Sequence, residues 1–154
     1  MTLGKILECS SQGDRRFSAL YAQVSVCAHT QSIETHYQLA KRFGTTAPRT
    51  PRDAKGRKPT HFQVQTVTFP LALGPAWYDL LWAKYLDQHP ELVTYAQTFD
   101  DFHDRFHTPR QVVCQADSIR RYIHEGRTAI LARTDVQALF DLFSRSVPED
   151  HASE

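Results

Sequence analysis

A chain of 154 residues holds one core and leaves no room for a second of comparable size. Apolar residues make up 41% and charged residues 23%, and nine Phe, six Tyr and two Trp supply a dense interior, which excludes disorder throughout. Eighteen Lys and Arg against 17 Asp and Glu give a formal charge of +1, which excludes a strongly basic nucleic-acid coat and an acidic solvating tail.

In chain order, Lys5 to Cys9 (KILEC) predicts a short strand, followed by a polar turn over Ser10 to Asp14. The later half of Phe17 to Cys27 (YAQVSVC) alternates and predicts a second strand. Ser32 is placed to cap a helix from Ile33 to Phe43, with apolar residues at 33, 37, 40 and 43 and Gly44 as a left-handed stop. Residues 44–60 (GTTAPRTPRDAKGRKPT) hold three prolines and two glycines, and are expected to be an irregular loop. Arg49, Arg52, Lys55, Arg57 and Lys58 against Asp53 give that loop a net charge of +4, while the whole chain carries +1. Loops of this length are usually functional or mobile.

His61 to Phe69 (HFQVQTVTF) changes its alternation phase in the middle, as a hairpin turning at Gln65-Thr66 or a bulge would. Pro75 opens a helix over about Ala76 to His89, with Trp77, Leu80, Leu81, Lys84 and Tyr85 at helical spacing. Pro90 starts another, with Leu92, Tyr95 and Ala96 inward, and Asp100 to His107 is expected to continue as helix or turn to Pro109. Asp117 to Leu131 predicts a further helix with the stripe Ile119, Tyr122 and Ile123. Thr134 caps a last one, with Val136, Leu139, Phe140 and Phe143 facing a core. The fold class expected is α+β: a mostly helical single domain over residues 1–147 with a few short strands, then a flexible tail at 148–154.

No apolar run approaches the roughly 20 residues that cross a bilayer, and the first residues lack the order of a secretory leader. Cysteines at 9, 27 and 114 leave one unpaired and form no C-x-x-C, so no disulfide framework or structural zinc site is expected. The expected location is the cytoplasm, with no membrane partner.

Within the helix SIETHYQLAKRF, Glu34, Gln38 and Lys41 stand at i, i+4 and i+7 and project from one face, with Ile33, Tyr37 and Ala40 on the neighbouring stripe. Glu34 lies in the first turn, where the positive end of a helix favours a carboxylate. By helical rise it lies about 10 Å from Lys41, too far for an ordinary surface pair. The plain alternative is a solvated helix face.

The segment T-Q-S-I-E-T-H-Y-Q-L-A-K-R-F resembles the signature of the NADAR family at Glu34, Gln38 and Lys41, with Tyr37 in an aromatic position. Upstream, G-D-R-R-F-S-A-L-Y is similar to the family's Phe-Ser-Asn-Phe segment through Phe17 and Ser18. Downstream, L-W-A-K-Y-L-D-Q-H-P-E-L resembles its Lys-aromatic and Gln-x-x-Glu-Leu helix at Lys84, Tyr85, Gln88, Glu91 and Leu92. Thr35 stands where the family has His, His36 where Tyr is usual and Ala19 where Asn follows Phe-Ser, while T-F-D-D-F-H-D-R-F replaces a segment ending in Trp-Gly.

The resemblance implies N-glycosidase chemistry on ADP-ribose adducts of guanine or on riboflavin-pathway intermediates, with water as acceptor and no metal or cofactor. Breaking a ribose–nitrogen bond develops positive charge on the sugar, which a nearby carboxylate stabilises while it orients or deprotonates water. Glu34 is the residue assigned that role, and Asp101, from the cluster Asp100, Asp101 and Asp104, is the assisting carboxylate. Trp77 is assigned as the wall against the base, with Trp82 in reserve, although a Trp on such a helix is ordinarily core. Arg16, Lys41 and Lys84 are assigned to phosphates. Phe17, Ser18, Tyr37 and Gln38 complete the expected substrate site. The expected partner is a nucleotide or an ADP-ribosylated base, free or on nucleic acid.

Two other constellations compete. His103 and His107 in F-H-D-R-F-H have the spacing of the H-E-x-x-H zinc helix, with Asp for Glu and no evident third ligand. Cys27 has His29 nearby in sequence as the base an activated thiolate needs, although a small buried cysteine is far commoner. No G-x-G-x-x-G or G-x-x-x-x-G-K-[ST] cradle occurs. The rival from another class is a module that binds a nucleotide, an ADP-ribose-like group or nucleic acid through the basic loop without turning it over.

Overall fold

The computed structural model describes residues 4–109 and 111–139. Seven strands occur among them: β1 (Ile6–Glu8), β2 (Gln23–Val26), β3 (His29–Ser32), β4 (Lys41–Arg42), β5 (His61–Val64), β6 (Val67–Pro70) and β7 (Asp101–His103). The α-helices are α1 (Ile33–Leu39), α2 (Pro51–Ala54), α3 (Gly74–Asp87), α4 (Pro90–Ala96), α5 (Gln115–Arg120), α6 (Arg127–Ala132) and α7 (Thr134–Gln137). The architecture is α+β. The strands form three small sheets, β1–β7, β2–β3 and β4–β5–β6, and one helix is buried on nearly all sides.

That helix is α3. Pro75 suits its first turn because no intrahelical partner awaits an N–H there. Eleven of its 14 residues are buried, including Trp77, Tyr78, Asp79 and Trp82, so it is a core helix and has no single apolar stripe. Gly74 allows the start of α3 to lie against β5, since a Cβ there would fall 2.7 Å from the Phe62 ring. Phe62 in turn stacks on Phe69 at 5.4 Å across the β5–β6 hairpin, and Phe69 meets Trp77 at 6.0 Å.

The hairpin at 61–70 turns at Gln65-Thr66 as its pattern predicts, with Gln65 at φ +57. Elsewhere the helical period misled. The helix expected over Ile33–Phe43 stops at Leu39, because Lys41 and Arg42 pair with Phe62 and His61 and the Ala40 carbonyl accepts from the Gln63 N–H. Gly44 does have positive φ, at +66, but it lies in the turn after β4.

Residues 44–60 are not wholly irregular. Thr50 and Asp53 form a capping box, Pro51 occupies the first turn, and α2 packs on α1. Asp100 to His107 is not helical either: β7 pairs in parallel with β1, Leu7 opposite Phe102. The single helix expected over 117–131 is α5 running into a wide π-helical turn at Arg121–Glu125, then a break at Gly126 (φ +96) before α6. Tyr95 is exposed rather than inward, while Leu92 and Ala96 are buried. Phe140, Phe143 and the tail at 148–154 lie outside the described residues.

Candidate active site

Glu34 is placed by its own helix start. The Ser32 hydroxyl accepts from the Thr35 N–H at 3.1 Å, so α1 begins at Ile33 and Glu34 falls in the first turn. The Glu34 N–H donates to the Ala19 carbonyl at 2.9 Å, which ties the Phe17-Ser18 segment to α1. The side chain keeps only 16% of its exposure, and its Oε2 accepts from Gln38 Nε2 at 3.2 Å. The Gln38 amide oxygen is buried and has no donor among the described residues. Leaving such an acceptor unsatisfied costs about 1–3 kcal/mol.

Two tyrosines lie beside this pair. Tyr37 is buried and meets Tyr78 edge-on at 5.2 Å and Phe62 at 5.6 Å. Burial, with the Glu34 charge adding, pushes the Tyr37 hydroxyl up to about 12. The Tyr78 hydroxyl is raised well above the ordinary range by burial, and the charges of Glu34 and Asp104 reinforce this. Both carboxylates therefore act on one phenol.

The basic segment closes over the same spot. Lys41 is buried on β4, and its Nζ donates to the carbonyls of Ala54 (3.2 Å) and Arg57 (3.1 Å). Burial lowers its pKa, and the Glu34 charge partly restores it. Lys41 thus fastens α2 and the residues after it, with two donors spent on backbone. Lys55 comes from that fastened segment to within 3.8 Å of Glu34 Oε2, and it is exposed.

On the other side, a chain of hydrogen bonds reaches a second carboxylate. The Ala19 N–H donates to Gln115 Oε1 at 2.6 Å, and Gln115 Nε2 donates to Asp104 Oδ2 at 2.9 Å. Asp104 Oδ1 accepts from the Phe106 N–H. Glu8 braces this segment by accepting from the Arg105 N–H at 3.0 Å and pairing with His103 at 2.8 Å.

The expected site residues thus divide. Glu34, Tyr37, Gln38 and Lys41 come together, and Phe17 and Ser18 are fully buried supports beneath the Ala19 loop. Tyr85 connects the third motif to this loop by donating to the Arg16 carbonyl at 2.6 Å; its neighbour Lys84 is half-buried on α3. The Arg16 side chain is exposed and bonded to Asp14 at 2.9 and 2.6 Å. Asp101 is exposed and held by Arg120 at 2.7 Å, because strand alternation turns it away from Phe102 and the core. Asp104 is the acid of that cluster that is joined to the Glu34 side.

Trp77, 1% exposed, lines a cavity of about 180 Å³ with His36, Leu39 and Ala40, on the face of α1 opposite Glu34. His36 is held there by its ring nitrogen Nε2, which donates to the Val24 carbonyl at 2.7 Å. The rings beside Glu34 are instead Tyr37 and Tyr78. Tyr78 stands one residue after Trp77, and nothing in a helix buried on all sides told which of the two turns toward Glu34.

His103 and His107 do not share a helix face; His107 pairs with Gln111 at 3.1 Å. Among the described residues no group of three or more His, Cys, Asp or Glu is arranged to hold a metal ion. The three cysteines form no disulfide and are buried, and burial raises the thiol pKa of Cys9 and Cys114. No described helix is long and apolar enough to cross a membrane.

The family model described as DarT1-associated NADAR antitoxin matches residues 1–152. No curated protein matches the chain. With nearly its whole length covered, the chain belongs to the NADAR family.

Proposed function

We propose, from this NADAR membership, that the protein is an N-glycosidase that hydrolyses the ribose–base bond of an ADP-ribosylated base, and so acts as the antitoxin to a DarT1-type ADP-ribosylating partner. The observation that carries the reading is Glu34: a carboxylate oriented by Gln38, screened from bulk water, and flanked by cations and aromatic rings. In a partly dry site, a fixed negative charge stabilises a cationic sugar far better than water would. As the ribose carbon–nitrogen bond breaks, its electron pair leaves with the base. A water oxygen bonds to the carbon and gives its proton to Glu34, and the departing base nitrogen takes up a proton from solvent.

Asp104 takes the assisting place first assigned to Asp101, since the bonds through Gln115 and Ala19 tie it to the Glu34 loop. Tyr37 and Tyr78 take the aromatic role first given to Trp77. Lys55, with the free donor of Lys41 and the arginines of residues 44–60, meets the diphosphate, and the same cations serve a nucleic-acid backbone. The test is incubation of native and Glu34→Ala protein with ADP-ribosylated guanine DNA and with free nucleotides, read by mass spectrometry. Released ADP-ribose with the native protein alone supports the reading. Binding of substrate by both, with no product from either, identifies a binding module instead.

A further inference from the structure

The arginines divide by what they face. From α5 onward, Arg120, Arg121, Arg127 and Arg133 all bond to carboxylates. Arg15, Arg57 and Arg105 are exposed and have no carboxylate partner among the described residues. Each instead holds its guanidinium over an aromatic ring: Tyr21 at 4.7 Å, Phe43 at 4.0 Å and Phe106 at 5.6 Å to the centroid. The acids of the same segments are engaged elsewhere. Asp14 binds Arg16, and Glu8 accepts from His103 and from the Arg105 N–H.

Single exposed rings are ordinary on a protein surface. What sets these apart is their place. Tyr21 is 46% exposed and stands two residues after Ala19, whose carbonyl takes the Glu34 N–H, with Leu20 (49% exposed) between them. Phe106 is 50% exposed, and its N–H donates to Asp104. Gln115 bonds to both Asp104 and the Ala19 N–H, so the two ring-bearing segments are tied to each other and to α1. Arg57 lies two residues beyond Lys55, which reaches Glu34 at 3.8 Å, and its own carbonyl is held by Lys41.

We propose that these pairs form a docking surface for a single nucleic-acid strand beside Glu34: unpaired bases stack on Tyr21 and Phe106, and Arg15, Arg57 and Arg105 meet the adjoining phosphates. This deepens the N-glycosidase reading and rests on it for the nucleotide that enters the Glu34 site. Every base has a π face, so stacking on such rings is tolerant of sequence, and a guanidinium beside each ring serves base and phosphate alike. A duplex keeps its bases stacked on one another and offers none to the rings. A free mononucleotide has no neighbouring base or phosphate and gains nothing from the surface.

Fluorescence anisotropy tests this without turnover, using an unmodified DNA strand of about 12 nucleotides, the RNA of the same sequence and the DNA duplex. The native protein should bind a single strand at least about 10-fold more tightly than the duplex, and the ratio of DNA to RNA affinity tells which strand it suits. Tyr21→Ser and Phe106→Ser should each weaken single-strand binding by about 5–100-fold, with the thermal midpoint unchanged because both rings are exposed. Arg15→Gln should make the fall of log affinity with log salt shallower by about 0.7, the single-strand value for one phosphate contact. Single-strand affinity no higher than that for the duplex, or ring variants that bind as the native protein does, would overturn the surface. Single-strand binding with these losses, but no ADP-ribose released from an ADP-ribosylated strand, would uphold the surface and reject the glycosidase reading.

Discussion

Asp79 is the sharpest test of how the helical half is held. Its carboxylate is 4% exposed in the middle of α3, yet it reaches three other segments. Oδ1 accepts from the Ser118 hydroxyl at 2.6 Å and from Arg121 at 2.9 Å; Oδ2 accepts from Arg121 at 3.1 Å and Arg133 at 2.8 Å. Replacing it by Ala strands two guanidinium groups and a buried hydroxyl. Breaking a fully buried ion pair from one side costs about 3–5 kcal/mol. Here Arg121 and Arg133 retain 36% and 30% exposure, and Arg133 also keeps Asp135 at 3.0 Å, so both rehydrate in part. The expected loss for Asp79→Ala is therefore about 3 kcal/mol, a fall in Tm of about 6–12 °C for a chain of this size. Urea denaturation with calorimetry measures it. A loss under about 1 kcal/mol would refute the view that this carboxylate ties α5, the π-helical turn and α7 to the core. Because α5 carries Gln115, the same substitution should also lower activity at temperatures where the fold survives.

Three further outcomes follow from particular contacts. Burial raises the Glu8 pKa, but hydrogen bonds from the Ser10 hydroxyl, the Arg105 N–H, His103 and the Ser10 N–H outweigh it and hold the group at about 2 against an ordinary 4.5. The unfolded chain takes up that proton first, so the stabilisation is complete above about pH 4.5 and is lost as pH falls through about 2. Glu8→Gln should flatten the acid limb of the Tm–pH curve in that window, and a curve identical to the native one would count against it. Lys41→Met removes a charged donor from the Ala54 and Arg57 carbonyls, about 1–3 kcal/mol of local stability. Hydrogen exchange over residues 50–58 should quicken by about 10–100-fold while α3 is unaffected; unchanged exchange would contradict the fastening role. Ala28 sits at φ +71 in the exposed β2–β3 turn, so Ala28→Gly should stabilise by about 0.5–1 kcal/mol in denaturant titration, and a loss would contradict the strain argument.

The parts of the fold legible in the sequence are those whose determinants are local. The slip of phase in HFQVQTVTF marked the β5–β6 turn to the residue, and Pro75 and Pro90 marked two helix starts. β3 was missed because its hairpin turns on Cys27-Ala28, both at positive φ, where Asn or Gly is the usual signal. β7 was missed because three residues show no period and its partner β1 is 95 positions away. That Glu34 and Gln38 meet on α1 was legible because four-residue spacing on a helix is independent of where the helix ends. Lys41 reached the same place by another route, on a strand. What the sequence did not contain was that alternation along Asp101–His103 sends Asp101 outward to Arg120 while Asp104 accepts from Gln115. Lys55 was one cation of several in the basic segment, until the Thr50–Asp53 capping box and Lys41 set its position.

Under the proposed function, the Glu34 carboxylate drives cleavage of a ribose–base bond. Single-turnover kinetics with an ADP-ribosylated guanine oligonucleotide, native against Glu34→Gln, test it most directly, since the amide keeps the shape and removes only the charge and the base. Restored guanine and free ADP-ribose are expected from the native protein, with the rate constant lower by about 10²–10⁴-fold in the variant at equal substrate affinity. Equal rate constants for the two proteins would contradict it.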